Sequence, residues 1–316
     1  MSDPKLPGLA RALDEEAMRA LFAARLGERS FSQLRCRVVK HAPGKRCVIA
    51  YELNGDDAVS APRRLIGKIY RKNRGEMIFA QWRRLWLAAS VTEPFGMPEP
   101  LAYWPELGML VQSVVPGRQL AAFSEGDELH VALRGVARNL AVLHGLTVDL
   151  GEPKTLEDHL RKYCHPGPQV LSADLEWAPL VERLLNGLAA DESLSRAPHC
   201  PIHGDLNLAQ IFIDAGRAWF IDFDGLCLAH PALDLGNFLV TLQVHFTAEY
   251  EALAKIFLEE YQARRPLRML TGLRSYQAFA CLRRAVICTR APAVPHRRQQ
   301  VRQLLETGCF FLENGN

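Results

Sequence analysis

His203-Gly204-Asp205-Leu206-Asn207-Leu208-Ala209-Gln210, the apolar run Ala218-Trp219-Phe220-Ile221 and then Asp222-Phe223-Asp224-Gly225 set two carboxylates and an amide at the spacing that phosphoryl transfer uses. That chemistry needs one carboxylate to take the proton of an attacking hydroxyl, and oxygen ligands for the magnesium that bridges the nucleotide phosphates. Asp205 suits the first role, Gln210 and Asp222 the second. Taken singly, each has a plainer reading: an Asp beside Gly is commonly a turn or cap residue, and Asp222 alone could end a strand. Together they reproduce the order of loop, short hairpin, strand end and metal carboxylate, which turn chemistry alone does not explain. Asp224 reads either as a second metal helper or as a residue bonding backbone after the strand.

His-Gly-Asp, an amide five residues past the Asp, and Ile-Asp-Phe-Asp resemble the catalytic signature of the aminoglycoside phosphotransferase and choline kinase superfamily, small-molecule relatives of protein kinases. The resemblance implies an α+β, two-lobed protein-kinase-like fold, with a small N-terminal antiparallel β-sheet lobe and a larger, mainly helical C-terminal lobe. It implies ATP and Mg²⁺ as cofactors, Asp205 as catalytic base, Gln210 and Asp222 as metal ligands, and His203 as a structural residue beneath the loop. Most members carry Asn where this chain has Gln210. Gln keeps the amide oxygen that magnesium accepts as a hard ligand, extends it by one methylene, and is similar to what maltokinase-like members carry. The same residue leaves open a catalytically impaired nucleotide- or metabolite-binding pseudokinase acting as sensor or scaffold. Gly204 stands where protein kinases carry an Arg that reads a phosphorylated activation loop, and the nine residues between Asp224 and Asp234 leave no room for such a loop. A small-molecule hydroxyl is therefore the expected acceptor. His230-Pro231-Ala232-Leu233-Asp234 resembles the segment whose acidic residue braces the catalytic loop, and a helix N-cap is an equal account of Asp234.

The 316 residues are 48% hydrophobic and 23% charged, ordinary for a globular enzyme. No basic segment leads into an apolar core at the start, and no uninterrupted apolar run reaches membrane-spanning length, so a cytoplasmic protein without a membrane partner is expected. Eight cysteines without a Cys-x-x-Cys pair read as small buried hydrophobes. Net charge is +3, yet residues 261–305 hold ten arginines and no acid, leaving 28 basic and 35 acidic residues, a net of −7, elsewhere. In the superfamily resembled, acceptors dock against C-terminal helices, and polycationic aminoglycosides call for acidic walls. The arginines either solvate outward helix faces or, if two of them point inward, favour a carboxylated or phosphorylated acceptor. Sparse aromatic interleaving speaks against a nucleic-acid partner.

Residues 8–27 carry apolar residues at helical spacing and predict one leading helix. Residues 37–40, 47–53 and 64–70 read as strands, 75–88 as a helix, and 101–103 with 109–114 as a hairpin. Pro116-Gly117 ends that pattern, which gives a nucleotide-binding lobe over 1–115 and a catalytic and substrate-binding lobe over 116–316. Helices are expected at 129–146, 234–245, 248–264, 268–289 and 295–312. His144, at the end of the first of these, reads as a cation favourable to the helix dipole.

For the nucleotide, Lys68 lies on an apolar strand where a lysine needs a partner, and Glu76 is the only acid between it and Glu93. The alternative is an edge-strand lysine and a dipole-stabilised helix glutamate. Gly44, in Ala42-Pro43-Gly44-Lys45-Arg46, marks the expected phosphate-covering loop or else a plain turn. Adenine is expected on the connector backbone at Gln112, Ser113 and Val114.

Overall fold

Cys47, Ile49, Tyr51 and Leu53 are buried and the residues between them are not, so β2 (Arg46–Gly55) presents one face to a core. The structure, a computed structural model, describes residues 2–26, 31–55, 62–72, 74–90, 95–164, 171–191, 194, 198–290 and 296–314. The chain divides into two units, Met1–Val91 with Met97–Pro116, and Thr92–Gly96 with Gly117–Asn316.

In the first unit β2 lies in a five-stranded antiparallel sheet with β1 (Phe31–Ala42), β3 (Arg63–Tyr70), β4 (Pro100–Trp104) and β5 (Met109–Ser113), in the order β1-β2-β3-β5-β4. Its core face packs on α1 (Leu9–Ala12) and α2 (Glu15–Leu26), where the Phe22 ring meets Tyr51 and Trp104 edge-on at 5.1 and 5.0 Å. The single leading helix expected is two helices. Asp14 breaks it, because its Oδ1 accepts from the backbone N–H groups of Glu16 and Ala17 and so caps the second. β1 runs well past the expected 37–40, since an edge strand is held by its ladder to β2 and needs little apolar alternation. α3 (Arg74–Ser90) buries Ile78, Trp82 and Leu85.

The second unit is mainly helical: α4 (Asp127–Leu143), α5 (Leu156–Cys164), α6 (Ala178–Ala190), α7 (Ala232–His245), α8 (Tyr250–Gln262), α9 (Leu273–Arg290) and α10 (Arg297–Glu313). Every residue of α7 from Ala232 to Leu242 is buried, which makes it the helix around which the others pack. α9 starts later than the expected 268, because Pro266 is followed by a 3-10 turn at Leu267–Leu270. The short hairpin expected ahead of Asp222 is β8 (Ile211–Asp214) with β9 (Arg217–Phe220); short strands that the sequence did not announce add to it, β6 (Arg118–Gln119) joining β8 while β7 (Cys200–Ile202) pairs with β10 (Cys227–Ala229). The β8–β9 hairpin closes through Ala215 and Gly216, both at positive φ (46° and 75°), the twist that two-residue hairpins favour. Seven described cysteines are free thiols. No described helix is long and apolar enough to cross a membrane.

Candidate active site

β7 delivers the chain into the loop His203–Gln210, and the first two backbone amides of that loop fix its path. Asp234, fully buried on α7, accepts from His203 N at 2.6 Å and Gly204 N at 2.8 Å, so it braces the loop. His144 Nε2 lies 3.3 Å from the same carboxylate, and Nδ1 lies 2.8 Å from the Tyr261 hydroxyl. Burial pushes His144 below its ordinary pKa, so the ring is neutral, donating from Nε2 to Asp234 and accepting the Tyr261 proton at Nδ1. Burial opposes ionisation of Asp234, but the hydrogen bonds it accepts from the His144 ring and the His203 backbone prevail and hold its carboxyl below the usual range. His144 was expected as a cation at a helix end. It does follow the last turn of α4, but its ring turns into the core, where the charge that a dipole argument needs is unavailable.

Gly204 has φ +77°, and a Cβ there would fall on the carbonyl oxygen of Gly225, inside contact distance. His203 is buried beneath the loop and donates from Nε2 to Ile221 O at 2.8 Å. Ile221 N in turn donates to Gln210 O at 2.9 Å. These bonds pin the loop to the strand end that carries Asp222.

Asp205 keeps 38% of its side chain exposed, enough for a reactant to reach it. Its Oδ2 accepts from Gln210 Nε2 at 3.1 Å, and its Oδ1 accepts from Arg283 Nη2. Asn207 shapes the loop between them, donating to Asp205 O and accepting from Ala209 N. Gln210 is buried; with its amide nitrogen committed to Asp205, its Oε1 has no protein partner. Asp222 is half-buried at φ 70°, ψ 55°, a left-handed conformation whose cost, of order 1–3 kcal/mol, collects at functional sites. Asp224 is half-buried in the turn that follows. No cluster of three or more His, Cys, Asp or Glu fit for a metal occurs among the described residues. The donor set here is instead a hard amide oxygen with a carboxylate nearby, which fits magnesium, an ion that takes few protein ligands and completes its shell with phosphate and water.

In the first unit Lys68 on β3 is buried, its Nζ 5.9 Å from the Trp82 ring centroid. Glu76 is exposed in the first turn of α3, and no ion pair joins it to Lys68 among the described residues. Its charge acts instead on Tyr103, whose hydroxyl is pushed up by burial first and by Glu76 second. Gly44 sits at φ +67° in the β1–β2 turn, its N–H donating to Asp3 Oδ2 at 2.7 Å. Gln112 is not a connector residue as expected: its backbone lies inside the sheet between Ile66 and Pro100, and its buried side chain leaves Oε1 without a partner. Val114, 45% exposed, lines a cavity of about 670 Å³ with Ala50 and Ile66, on the sheet face that carries Lys68.

The arginine-rich region divides. Arg264, Arg268, Arg274, Arg298 and Arg302 are exposed, and Arg298 and Arg302 engage Asp174 and Glu176. Arg283 and Arg284 are not exposed. Sequence reading did not single out Arg283, although its setting in Ala280-Cys281-Leu282-Arg283-Arg284-Ala285-Val286 is the same charge-in-apolar signal that picked out Lys68.

Comparison with solved structures gives fold neighbours that are kinases. A spectinomycin phosphotransferase in complex with ADP and spectinomycin superposes with a TM-score of 0.64 at 10% identity, over 95% of this chain and 98% of that one. An ethanolamine kinase of Plasmodium vivax gives 0.58 at 11%, over 87% and 82%. A choline/ethanolamine kinase family protein from Mesorhizobium loti gives 0.58 at 17%, over 95% and 94%. At these identities the likeness is one of fold, and the fold is the two-lobed, protein-kinase-like α+β architecture. Among curated proteins no sequence match is found. The model of the phosphotransferase enzyme family (APH) matches residues 54–270, and with the loop, hairpin and brace all inside that span, the chain belongs to this family of small-molecule kinases.

Proposed function

We propose that the protein transfers the γ-phosphoryl group of ATP to a hydroxyl group of a small molecule, with Asp205 as the base. The observation that carries this reading is the Asp205 carboxylate, reachable from solvent yet fixed on both oxygens by Gln210 and Arg283 on a loop braced from a buried helix. A base must be held in place while its reactant approaches, and this one is. The acceptor hydroxyl gives its proton to Asp205 as its oxygen bonds to the γ-phosphorus, and the bond from that phosphorus to the bridging oxygen of ADP breaks.

Gln210, through its unpartnered Oε1, and Asp222 are the residues that would hold magnesium, which when bound supplies charge neutralisation at the nucleotide phosphates. That oxygen supports an active kinase over a nucleotide-binding scaffold, for which no observation speaks. Lys68 is assigned to the α and β phosphates, Gly44 to the turn that covers them, and the cavity at Val114, with Gln112 on the adjoining strand, to the adenine. Glu76 is assigned as the helix carboxylate that steadies Lys68 once nucleotide is bound. The ADP found in a fold neighbour supports a nucleotide in this role.

Asp205→Asn preserves shape and removes the base. It should lower kcat by about 10²–10⁴-fold while calorimetry shows Mg·ATP binding unchanged within about threefold. Turnover within tenfold of the parent would remove Asp205 from the mechanism.

A further inference from the structure

Arg283 and Arg284 occupy the middle of α9, an apolar helix whose neighbours Ala280, Cys281, Leu282, Ala285 and Val286 are all buried. Arg283 is itself only 6% exposed, and its guanidinium reaches across to Asp205 Oδ1. Arg284 follows it on the helix and is half-buried, and burial pulls its pKa below the ordinary value. Taking one guanidinium out of water is costly, and taking two from adjacent positions of one helix is more so. A stability role alone accounts poorly for a second arginine there, because the same stretch would pack at least as well with Leu or Met. An arginine also offers five donors in a flat fork suited to carboxylate and phosphate, which a Leu or Met in its place would lack.

Resting on the transfer reading above, we propose that Arg283 and Arg284 form the anion-reading wall of the acceptor site, so that the acceptor is a small hydroxy compound bearing a carboxylate or phosphate close to the hydroxyl it presents to Asp205. An amine brought to Asp205 would meet Arg283 first, whereas an anion would be drawn in and oriented by the pair. The remaining arginines of the region contribute differently. Arg298 and Arg302 are matched on the surface by Asp174 and Glu176, and the half-buried Arg265 donates to Ala141 O on α4.

The test uses glycerate and glycerol 3-phosphate as anionic probes, glycerol as the neutral one and 3-amino-1,2-propanediol as the cationic one. Each is read by thermal shift on the full chain saturated with Mg²⁺ and the unreactive analogue AMP-PNP, and separately by ADP formation from ATP. Stabilisation by an anionic probe, with the neutral and cationic probes at least tenfold weaker, is the expected result. Equal or better stabilisation by the neutral or cationic probe, or none by either anion, overturns the inference. Anion-dependent stabilisation without ADP formation keeps the anion site and sinks the transfer reading. Arg284→Met should weaken the anion at least tenfold with AMP-PNP affinity unchanged, and Arg284→Lys should recover part of the loss. If Met and Arg bind the anion alike, Arg284 does not read it; the melting temperature of each variant without probe separates misfolding from lost recognition.

Discussion

Two turns, one in each unit, are made from the same parts. Gly204 and Gly44 both lie at positive φ (77° and 67°), both donate their N–H to a carboxylate from elsewhere in the chain, and both carboxylates also meet a histidine. Asp234 serves the first with His144, and Asp3 serves the second with His41. What separates them is burial. The Asp234 and His144 side chains have no exposure at all, while those of Asp3 and His41 keep 7% and 20%. Water can replace a partner lost at the second turn and cannot at the first. Identical local chemistry therefore yields a structural keystone in one place and a local clip in the other.

The largest expected difference comes from deleting the two carboxylates. Asp234→Ala leaves the His203 and Gly204 amides and His144 Nε2 without their acceptor in a dry interior, which costs about 3–5 kcal/mol and lowers the melting temperature by roughly 10 °C. Asp3→Ala returns the Gly44 amide toward water and should move it by no more than about 2 °C. Equal shifts in differential scanning calorimetry would break the comparison.

Much of the first turn was legible in the sequence and little of the second. The order His-Gly-Asp, amide, strand, Asp is a local pattern, and local patterns survive being read without coordinates. Asp234 could be placed because its segment resembles a known one. Arg283 reaches Asp205 over 78 residues, and Asp3 reaches Gly44 over 41, with no periodicity linking either pair. Such contacts are made by the packing of elements, which propensity and spacing do not encode. The leading helix shows the converse failure: apolar spacing ran on through residues 8–27, but a single Asp14 side chain bonding backbone overrode it. Lys68 was legible as a buried cation, while Glu76 is exposed and no ion pair between the two is found among the described residues, because scarcity of acids in sequence says nothing of where a helix's first turn points.

Acidification sharpens the same contrast at a smaller scale. His230, ahead of α7, accepts the Ala232 N–H at Nδ1 and stacks on Tyr276, and burial above all lowers its pKa to about 4. The unfolded chain protonates this ring below about pH 6.5, so between 6.5 and 4 the unfolded state holds more protons and stability falls with pH. The loss is on the order of 3 kcal/mol across that window, and His144, also depressed, adds with the same sign. Asp3 behaves otherwise. The Gly44 N–H above all holds its carboxyl below 3.8, so its contribution is intact above that pH and is lost only as the pH falls further. Unfolding in urea at pH 7 and 5 should show His230→Gln with a flatter pH dependence than the parent, and Asp3→Asn with the parent's slope unchanged. A parent whose stability does not change between those values would contradict the neutral, buried ring.

The finest distinction isolates backbone geometry from charge. Alanine at either glycine must adopt a left-handed conformation, at about 1–2 kcal/mol in both places. At Gly44 the atoms nearest the new methyl belong to the Lys5 side chain, Cδ at 3.0 Å, whose flexible end can move aside. At Gly204 it would strike the carbonyl oxygen, carbonyl carbon and Cα of Gly225, backbone that is itself tied to the Asp222 strand end. Overpacking there adds about 1–3 kcal/mol, so Gly204→Ala should be the more destabilising of the two by about 2 kcal/mol in chemical denaturation. It should also lower kcat, because the displaced segment carries Asp222 and the loop carries Asp205. Gly44→Ala should leave kcat alone and affect only the KM for ATP. If the two substitutions cost the same, the close approach of the loop to Gly225 is not what holds Asp205 and Asp222 in register.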